Sequence, residues 1–440
     1  MLRECQLRRN PSILKMDPMP MRILDARYGG NFGADDGSEL PFVLPGEVVE
    51  SAGALRVLEP SADRIGAGCV HFGACGGCQY QHASYGAEVA IKRGILAGIF
   101  AQAGVAVPEI QTHTGPEWGY RNRIRLRIEA SPGTPETPFR VGYSRRGSNE
   151  FLPIHECPIA APLLWRATEA LLRCTPGRLL ATVSEVELSC TADESRLQMQ
   201  VYLRAPSVDS GGFAACCERL RAGIPELAGG GAELDPQVNR RVRRGWEPFA
   251  WGAPGLNYEA AGRSYWVSRG AFFQVNRFLV DRLVELVCGG EDGALAWDLF
   301  AGVGLFSRTL AENFERVVAV EVGGEAATDL LAASRGGKGR PSFEAVHAST
   351  LDFLRARELQ RERPELIVLD PPRAGLGVEA ATVLVRMAVP RVVYVSCDPV
   401  TLARDLAILT RAAYRIDALD LIDLFPQTFH METVVHLSRR

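Results

Sequence analysis

From about residue 291 onward the chain alternates apolar strand-like runs with helical stretches, and no other feature narrows its fold as much. The runs Ala294–Phe300, Val317–Val322, Leu366–Asp370 and Arg391–Ser396 are almost continuously apolar. Strands of that kind are buried on both faces, which implies a parallel α/β sheet covered by helices on either side. Two further runs, near Arg415–Leu421 and Thr433–Leu437, close the chain as a hairpin-like end. Sheets of this class bind cofactors at the carboxyl ends of their strands, so the residues just after each run are candidates for function.

The preceding 290 residues follow a different grammar. Residues 1–18 are polar and Pro-bearing, and read as a tail. From Met21 to about Ala62, short apolar runs are cut by Gly29-Gly30, Asp36-Gly37 and Pro45-Gly46, which predicts a small all-β barrel. A cysteine-rich loop at 69–78 precedes a helical pattern from about Tyr85 to Ala103, and 118–270 mixes strands with helices. Within it Arg121, Arg123, Arg125 and Arg127 alternate with Asn122, Ile124, Leu126 and Ile128. Period two puts four guanidiniums on one strand face, either a solvated face or an RNA contact. A second basic cluster, Arg240, Arg241, Arg243 and Arg244, lies beside Trp246 and Trp251. No internal repeat is evident.

Composition excludes some classes and leaves others open. No run of about 20 apolar residues suggests a membrane span, and the first twenty residues do not read as a signal peptide. The net charge of −3 does not advertise a nucleic-acid partner, although residues 94–270 hold 20 basic against 18 acidic groups and residues 271–440 hold 19 against 23. Eleven cysteines, an odd number in 440 residues, argue against a disulfide scaffold and for a reducing, cytoplasmic setting.

Four constellations carry chemistry. Cys69-x5-Cys75-Gly76-Gly77-Cys78 gathers three thiols on a loop that the glycines let wrap tightly, with Cys157 in His155-Glu156-Cys157-Pro158 as the best fourth ligand. Such a set suits a tetrahedral zinc or an iron–sulfur cluster, and spacing leaves the two open. Asp298-Leu299-Phe300-Ala301-Gly302-Val303-Gly304 is a strand running into a glycine turn, and Glu321 ends the next strand about 20 residues on. That pairing fits a nucleoside cofactor whose ribose hydroxyls meet the carboxylate. Asp370-Pro371-Pro372-Arg373 stiffens a loop at the same edge; Arg373, where amino-group methyltransferases carry an aromatic residue, counts against exocyclic amine chemistry. Finally, Ser396-Cys397-Asp398-Pro399 puts a thiol on that edge and Glu432 precedes the last strand. A cysteine nucleophile with a carboxylate base suits substitution on an aromatic ring whose carbon is activated and then deprotonated.

Together these stretches resemble the RNA uracil-C5 methyltransferase family, from about Met21 to the end. The resemblance rests on the Cys-x5-Cys-Gly-Gly-Cys loop with Gln81, Gly119-Tyr120-Arg121-Asn122-Arg123, Cys157-Pro158, Phe272-Phe273-Gln274-Val275-Asn276, the glycine turn, Asp370-Pro371-Pro372-Arg373, Ser396-Cys397-Asp398-Pro399 and Phe425-Pro426-Gln427-Thr428 leading to Glu432. It implies a Rossmann-like methyltransferase domain at 271–440, an oligonucleotide-binding-like (TRAM) barrel at 19–64 and a central domain at 65–270, with about 93–118 packing on the catalytic domain. It also implies S-adenosylmethionine as cofactor at Gln274, Phe300, Glu321 and Asp370. A [4Fe-4S] cluster would sit on Cys69, Cys75, Cys78 and Cys157. Cys397 would add to uracil carbon 6, and Glu432 would remove the carbon 5 proton. Leu305 and Val346-His347-Ala348-Ser349 depart from the family pattern at cofactor positions.

The expected substrate is RNA, ribosomal before transfer RNA, for a monomer without membrane contact. The alternatives are a tRNA uracil-C5 methyltransferase, an RNA cytosine-C5 methyltransferase, and a non-catalytic RNA-binding factor. The cytosine enzymes usually carry a Pro-Cys nucleophile, which Asp370-Pro371-Pro372-Arg373 lacks. Because the cysteine ligands lie far in sequence from the catalytic edge, the cluster is expected to support an RNA surface.

Overall fold

A computed structural model describes residues 19–51, 55–131, 138–206, 208–238, 246–335 and 343–440. Arg240, Arg241, Arg243, Arg244 and Cys5 lie outside the described residues. The carboxyl-terminal sheet has eight strands in the order Glu344–His347, Phe314–Glu321, Gly293–Leu299, Leu366–Leu369, Arg391–Ser396, Glu432–Arg439, Tyr414–Ile422 and Ile110–His113. The first five run parallel, and Glu432–Arg439 runs antiparallel between two neighbours. Side chains alternate between the sheet's faces. Trp297, Val318 and Val320 enter one apolar layer, while Ala296, Val317 and Ala319 enter the other. Burial on both faces explains the unbroken apolar runs.

The last strand of this sheet comes from far upstream. Ile110–His113 pairs in parallel with Tyr414–Ile422, and the helix Tyr85–Gln102 packs against the helix Pro399–Ala412. Lys92 of the upstream helix is fully buried, and its Nζ sits 2.7 Å from carboxylate oxygens of both Glu88 and Asp423. Two opposite charges and the Phe425 carbonyl, 3.1 Å away, satisfy an ammonium that burial alone would neutralise.

Residues 21–59 form a five-stranded antiparallel sheet in the order Glu39–Pro41, Asn31–Ala34, Met21–Arg27, Val48–Ser51 and Leu55–Glu59. Its outer strands do not pair with each other among the described residues. The central sheet has seven strands, from Phe249–Gly252 at one edge to Phe151–Pro153 at the other, with the helices Pro162–Cys174 and Ser210–Gly223 supplying its core.

The four-arginine face is corrected in two ways. The strand starts at Arg123, and Arg121 precedes it, bridged to Ala160 and Asn276 instead. The other three are matched by acids: Arg123 with Glu187 at 3.6 Å, Arg125 with Glu185 at 2.5 Å, and Arg127 with Glu129 at 2.5 Å. The antiparallel neighbour Val183–Cys190 brings two of those glutamates into register, so this face is a neutralised lattice rather than a bare cation stripe.

Candidate active site

Sheet order lines up residues that are up to 132 positions apart in the chain. Glu321, Phe300, Asp370 and Cys397 each follow or end neighbouring parallel strands, so they meet at one carboxyl edge. The antiparallel strand enters at that same edge with its first residue, Glu432. Ser396 is paired with Thr433, and the Thr433 hydroxyl donates to the Ser396 carbonyl at 3.1 Å. One residue beyond that pair on either strand stand Cys397 and Glu432. Asp370 lies next to them, between the thiol and the glycine turn.

The turn itself is backbone-strained. Phe300 has φ 65°, a left-handed value unusual for a non-glycine residue, and Gly302 and Gly304 follow at 56° and 90°. Glu321 ties this turn to the next: one carboxylate oxygen accepts the Gly302 N–H at 2.9 Å, the other those of Val322 and Gly323 at 2.8 and 2.7 Å. Behind the turn, buried Asp298 accepts from the Ser307 hydroxyl, and burial pushes it up to about 6. The Leu305 side chain is packed in the apolar core, its carbonyl accepting from the Tyr265 hydroxyl at 3.0 Å, while Ser349 caps the helix Thr350–Gln360. Gln274 is buried on a connection held by Asn122, which donates to the Gln274 carbonyl at 3.1 Å, and by Asn276, which donates to the Leu424 carbonyl at 3.0 Å.

Burial and neighbouring acids shift Asp370, Glu432 and the Cys397 thiol at this sheltered edge. Burial first, then Asp298 and Glu321, push Asp370 up to about 7. Burial and then Asp370 hold Glu432 well above the usual carboxylate range. Cys397 is pushed up to about 12 by burial, then Glu432 and Asp370, with the Arg373 guanidinium opposing. The thiol also stands just before the helix Pro399–Ala412, whose amino end Asp398 caps by accepting from Val400 and Thr401. That placement favours an anion.

Several neighbours of the pair were not singled out in the sequence. His430 packs against the Phe429 and Phe425 rings, centroids 4.2 and 5.9 Å away, and its Nδ1 and Nε2 each lie 3.4 Å from Arg373. Burial and then Arg373 hold it down at about 4, so the imidazole is neutral. Tyr28, from the amino-terminal sheet, donates to Asp398 at 3.2 Å and meets Phe429 edge-on at 5.5 Å. The Phe-Pro-Gln-Thr-Phe-His-Met-Glu run made the loop residues visible as a motif, whereas nothing in the sequence ties Tyr28 to Asp398, 370 residues away.

Cys69, Cys75, Cys78 and Cys157 line one cavity of about 300 Å³, together with Arg121, Gln81 and Tyr143. All four are free thiols, and burial raises each of them, Cys78 to about 12 and Cys157 to about 11. Among the described residues, no three His, Cys, Asp or Glu side chains converge as ligands of a single ion. The Arg121 Nε is buried without a hydrogen-bond partner. In space the loop adjoins the segment that leads to Glu432. Gln79 and Tyr80 donate main-chain N–H bonds to the Gln427 carbonyl at 2.8 and 3.1 Å, five residues before Glu432.

The tRNA (Uracil-5-)-methyltransferase family model matches residues 343–440, the segment holding Asp370, Cys397 and Glu432. The chain is 31% identical over 406 residues to 23S rRNA (uracil(1939)-C(5))-methyltransferase RlmD of Pseudomonas entomophila (strain L48), covering 88% of this chain and 83% of the relative. It is 32% identical over 424 residues to RlmD of Aeromonas hydrophila subsp. hydrophila, covering 90% of each. The chain belongs to the RNA uracil-C5 methyltransferase family. Its members are S-adenosylmethionine-dependent enzymes, and this chain has their α/β methyltransferase fold. The Pyrococcus abyssi tRNA (uracil-54, C5)-methyltransferase, solved in complex with S-adenosyl-L-homocysteine, superimposes with a TM-score of 0.72 at 22% identity, covering 95% of this chain and all of that one. Within this family frame, the matched segment excludes the glycine turn, Gln274 and the cysteine loop, so the roles of those parts rest on this chain's own geometry.

Proposed function

We propose that this enzyme methylates carbon 5 of a uridine in 23S rRNA, with Cys397 as nucleophile and Glu432 as base. The observation that carries the reading is the Ser396–Thr433 register, which sets thiol and carboxylate side by side at the cofactor edge. The ribosomal substrate is supported by 31–32% identity across most of two RlmD proteins; the tRNA alternative draws on the family model's name and on a structure at 22%.

The Cys397 thiolate forms a bond to carbon 6 of the uracil, and the carbon 5–carbon 6 π electrons move toward the carbonyl at carbon 4. Carbon 5 is then nucleophilic. S-adenosylmethionine, when held on the cofactor side, would supply the electrophilic methyl carbon, whose bond to sulfur breaks as the carbon 5 bond forms and leaves S-adenosylhomocysteine. Glu432 as carboxylate takes the carbon 5 proton, the C–H electrons restore the double bond, and the Cys397–carbon 6 bond breaks to return the thiolate. A raised Glu432 is the stronger base for that step. Gln274, Phe300, Glu321 and Asp370 form the cofactor side, with Asp370 between the two halves. Carbon 6 is unreachable in a stacked base, so the uridine is extruded, and the neutral ring wall of His430, Phe429 and Phe425 suits it.

Cys69, Cys75, Cys78 and Cys157 hold a four-iron cluster in this reading. Four thiols spread around a cavity rather than meeting at one point fit a cluster better than one zinc, whose ~2.3 Å bonds demand close convergence. An orphaned Arg121 Nε and the Gly77 N–H, 3.4 Å from the Cys75 sulfur, suit an anionic occupant. When bound, the cluster cross-links 69–78 to 157. The sheet within 19–64 acts as a TRAM-type RNA platform, 65–270 as the central domain and 271–440 as the catalytic one.

The test is to incubate unmodified rRNA and tRNA separately with methyl-labelled S-adenosylmethionine. Label recovered as 5-methyluridine in 23S rRNA is expected. Label in tRNA alone, in 5-methylcytidine, or in neither RNA overturns the reading.

A further inference from the structure

The segment Cys78–Gln81 joins the cysteine loop to the catalytic loop through two glutamines with opposite commitments. Gln81 faces the cysteines: its side-chain oxygen accepts the Cys69 N–H at 2.9 Å, and it hydrogen-bonds Cys78. Gln79 faces the other way. Its Oε1 accepts the Phe429 N–H at 3.1 Å, while its Nε2 donates to the Gly76 carbonyl, between two of the cysteines, at 2.9 Å. Gln79 is buried and has no slack. Gly30, at φ 84°, presses on it so closely that a Cβ there would lie 2.6 Å from the Gln79 Cγ.

The loop that receives these bonds links Tyr414–Ile422 to Glu432–Arg439 and ends at the base. Its centre, Gln427, is buried in a left-handed conformation at φ 71°. The Gln427 N–H donates to Glu88 at 2.7 Å, and its side chain donates to Glu117 at 2.8 Å. The Tyr120 hydroxyl donates to the Pro426 carbonyl at 3.0 Å. The loop is therefore shaped by groups outside its own sheet, and the Gln79 side chain fixes the part nearest Glu432.

We propose that Gln79 is a positioning residue for the reaction, holding Phe429 and His430 so that Glu432, three residues after Phe429, meets the carbon 5 proton; this rests on the reading of Glu432 as base. Without the acceptor the Phe429 N–H is left unpaired and the segment 429–431 relaxes. A catalytic group misplaced by about 1 Å loses about 10²-fold in rate.

The decisive variant is Gln79→Met, which keeps bulk and removes the hydrogen bonds. Expected are a kcat lower by about 10- to 100-fold, and S-adenosylhomocysteine and RNA affinities within about twofold of the parent. Two further readouts would not move if Gln79 merely stabilised the fold. The isotope effect on kcat with RNA carrying 5-deuterouridine should increase, and a covalent RNA–enzyme adduct should accumulate. An unchanged kcat overturns the proposal, as does a lower kcat with the parent's isotope effect and no adduct. If Gln79→Met does not fold, Gln79→Glu decides: it retains an acceptor for Phe429, so the parent's isotope effect is expected and a raised one refutes the assignment. Glu432→Gln separates the two readings. No adduct there removes the base assignment itself, whereas an adduct there but not in Gln79→Met removes only the positioning role.

Discussion

Burial pushes several thiols above their ordinary range, and two of those places, Cys397 and the cysteine loop, differ in their neighbours. Cys397 is alone among acids, with Glu432 and Asp370 raising it and Arg373 opposing. Cys78 is raised, after burial, by Cys157, Cys75 and Cys69, and Cys157 is eased by Tyr143 and Arg121. A single thiol whose neighbours themselves titrate is arranged to change charge during a reaction. Thiols that raise one another, beside a guanidinium with an unused N–H, suit instead the shared counter-charge of the proposed cluster. Burial is common to both, so burial alone does not mark a nucleophile; what surrounds the sulfur does.

Substitution should break the comparison at its strongest point first. Cys397→Ala should lower methyl transfer by at least about 10³-fold while leaving S-adenosylhomocysteine binding intact, measured by label incorporation and calorimetry. Cys157→Ser should instead abolish the visible absorption of an iron–sulfur protein and cost turnover less than Cys397→Ala does. Colourless parent protein with bound zinc would contradict the cluster, and equal losses from both variants would erase the distinction between the sites.

The acids around Cys397 give a finer test. Glu432→Gln removes a group that raises the thiol, so the alkylation midpoint of Cys397 should move down, by about one pH unit. Arg373→Gln removes the group that lowers it, so the midpoint should move up. At fixed pH between 7 and 10, below the parent midpoint, the rate of alkylation by iodoacetamide should rise with the first variant and fall with the second; changes of the opposite sign would mean that these groups do not act on the thiol. The smallest effect is expected on the central sheet. Arg125→Glu should change the salt dependence of RNA binding little, because Glu185 already neutralises Arg125. A loss of one full phosphate contact from that slope would restore the arginine strand as an RNA face.

How much was legible follows from the physics of each region. The parallel strands announced themselves because burial on both faces leaves an unbroken apolar run, as in Val317-Val318-Ala319-Val320. Cys397 and Glu432 were legible as a candidate nucleophile and a candidate base by residue type and motif, but their adjacency depends on the order of strands 391–396 and 432–439, which is a tertiary fact. The arginine alternation was visible, and the glutamates that cancel it were not, because Glu185 and Glu187 lie 60 and 64 residues from their partners Arg125 and Arg123. The largest gap was the cysteine loop. Its ligands lie far in sequence from Cys397, and only the fold shows that main-chain bonds from Gln79 and Tyr80 to Gln427 cross about 350 residues and join it to the loop before Glu432.

The most direct test of the account is the covalent state of Glu432→Gln enzyme mixed with unmodified 23S rRNA and S-adenosylmethionine. Cys397 can still add to carbon 6 and carbon 5 can still take the methyl group, but the proton has no acceptor. The account predicts an RNA–enzyme adduct that maps by mass spectrometry to Cys397, carries one methyl group on the uracil, and is absent from the Cys397→Ala, Glu432→Gln double variant. No adduct, or one that survives loss of Cys397, would contradict it.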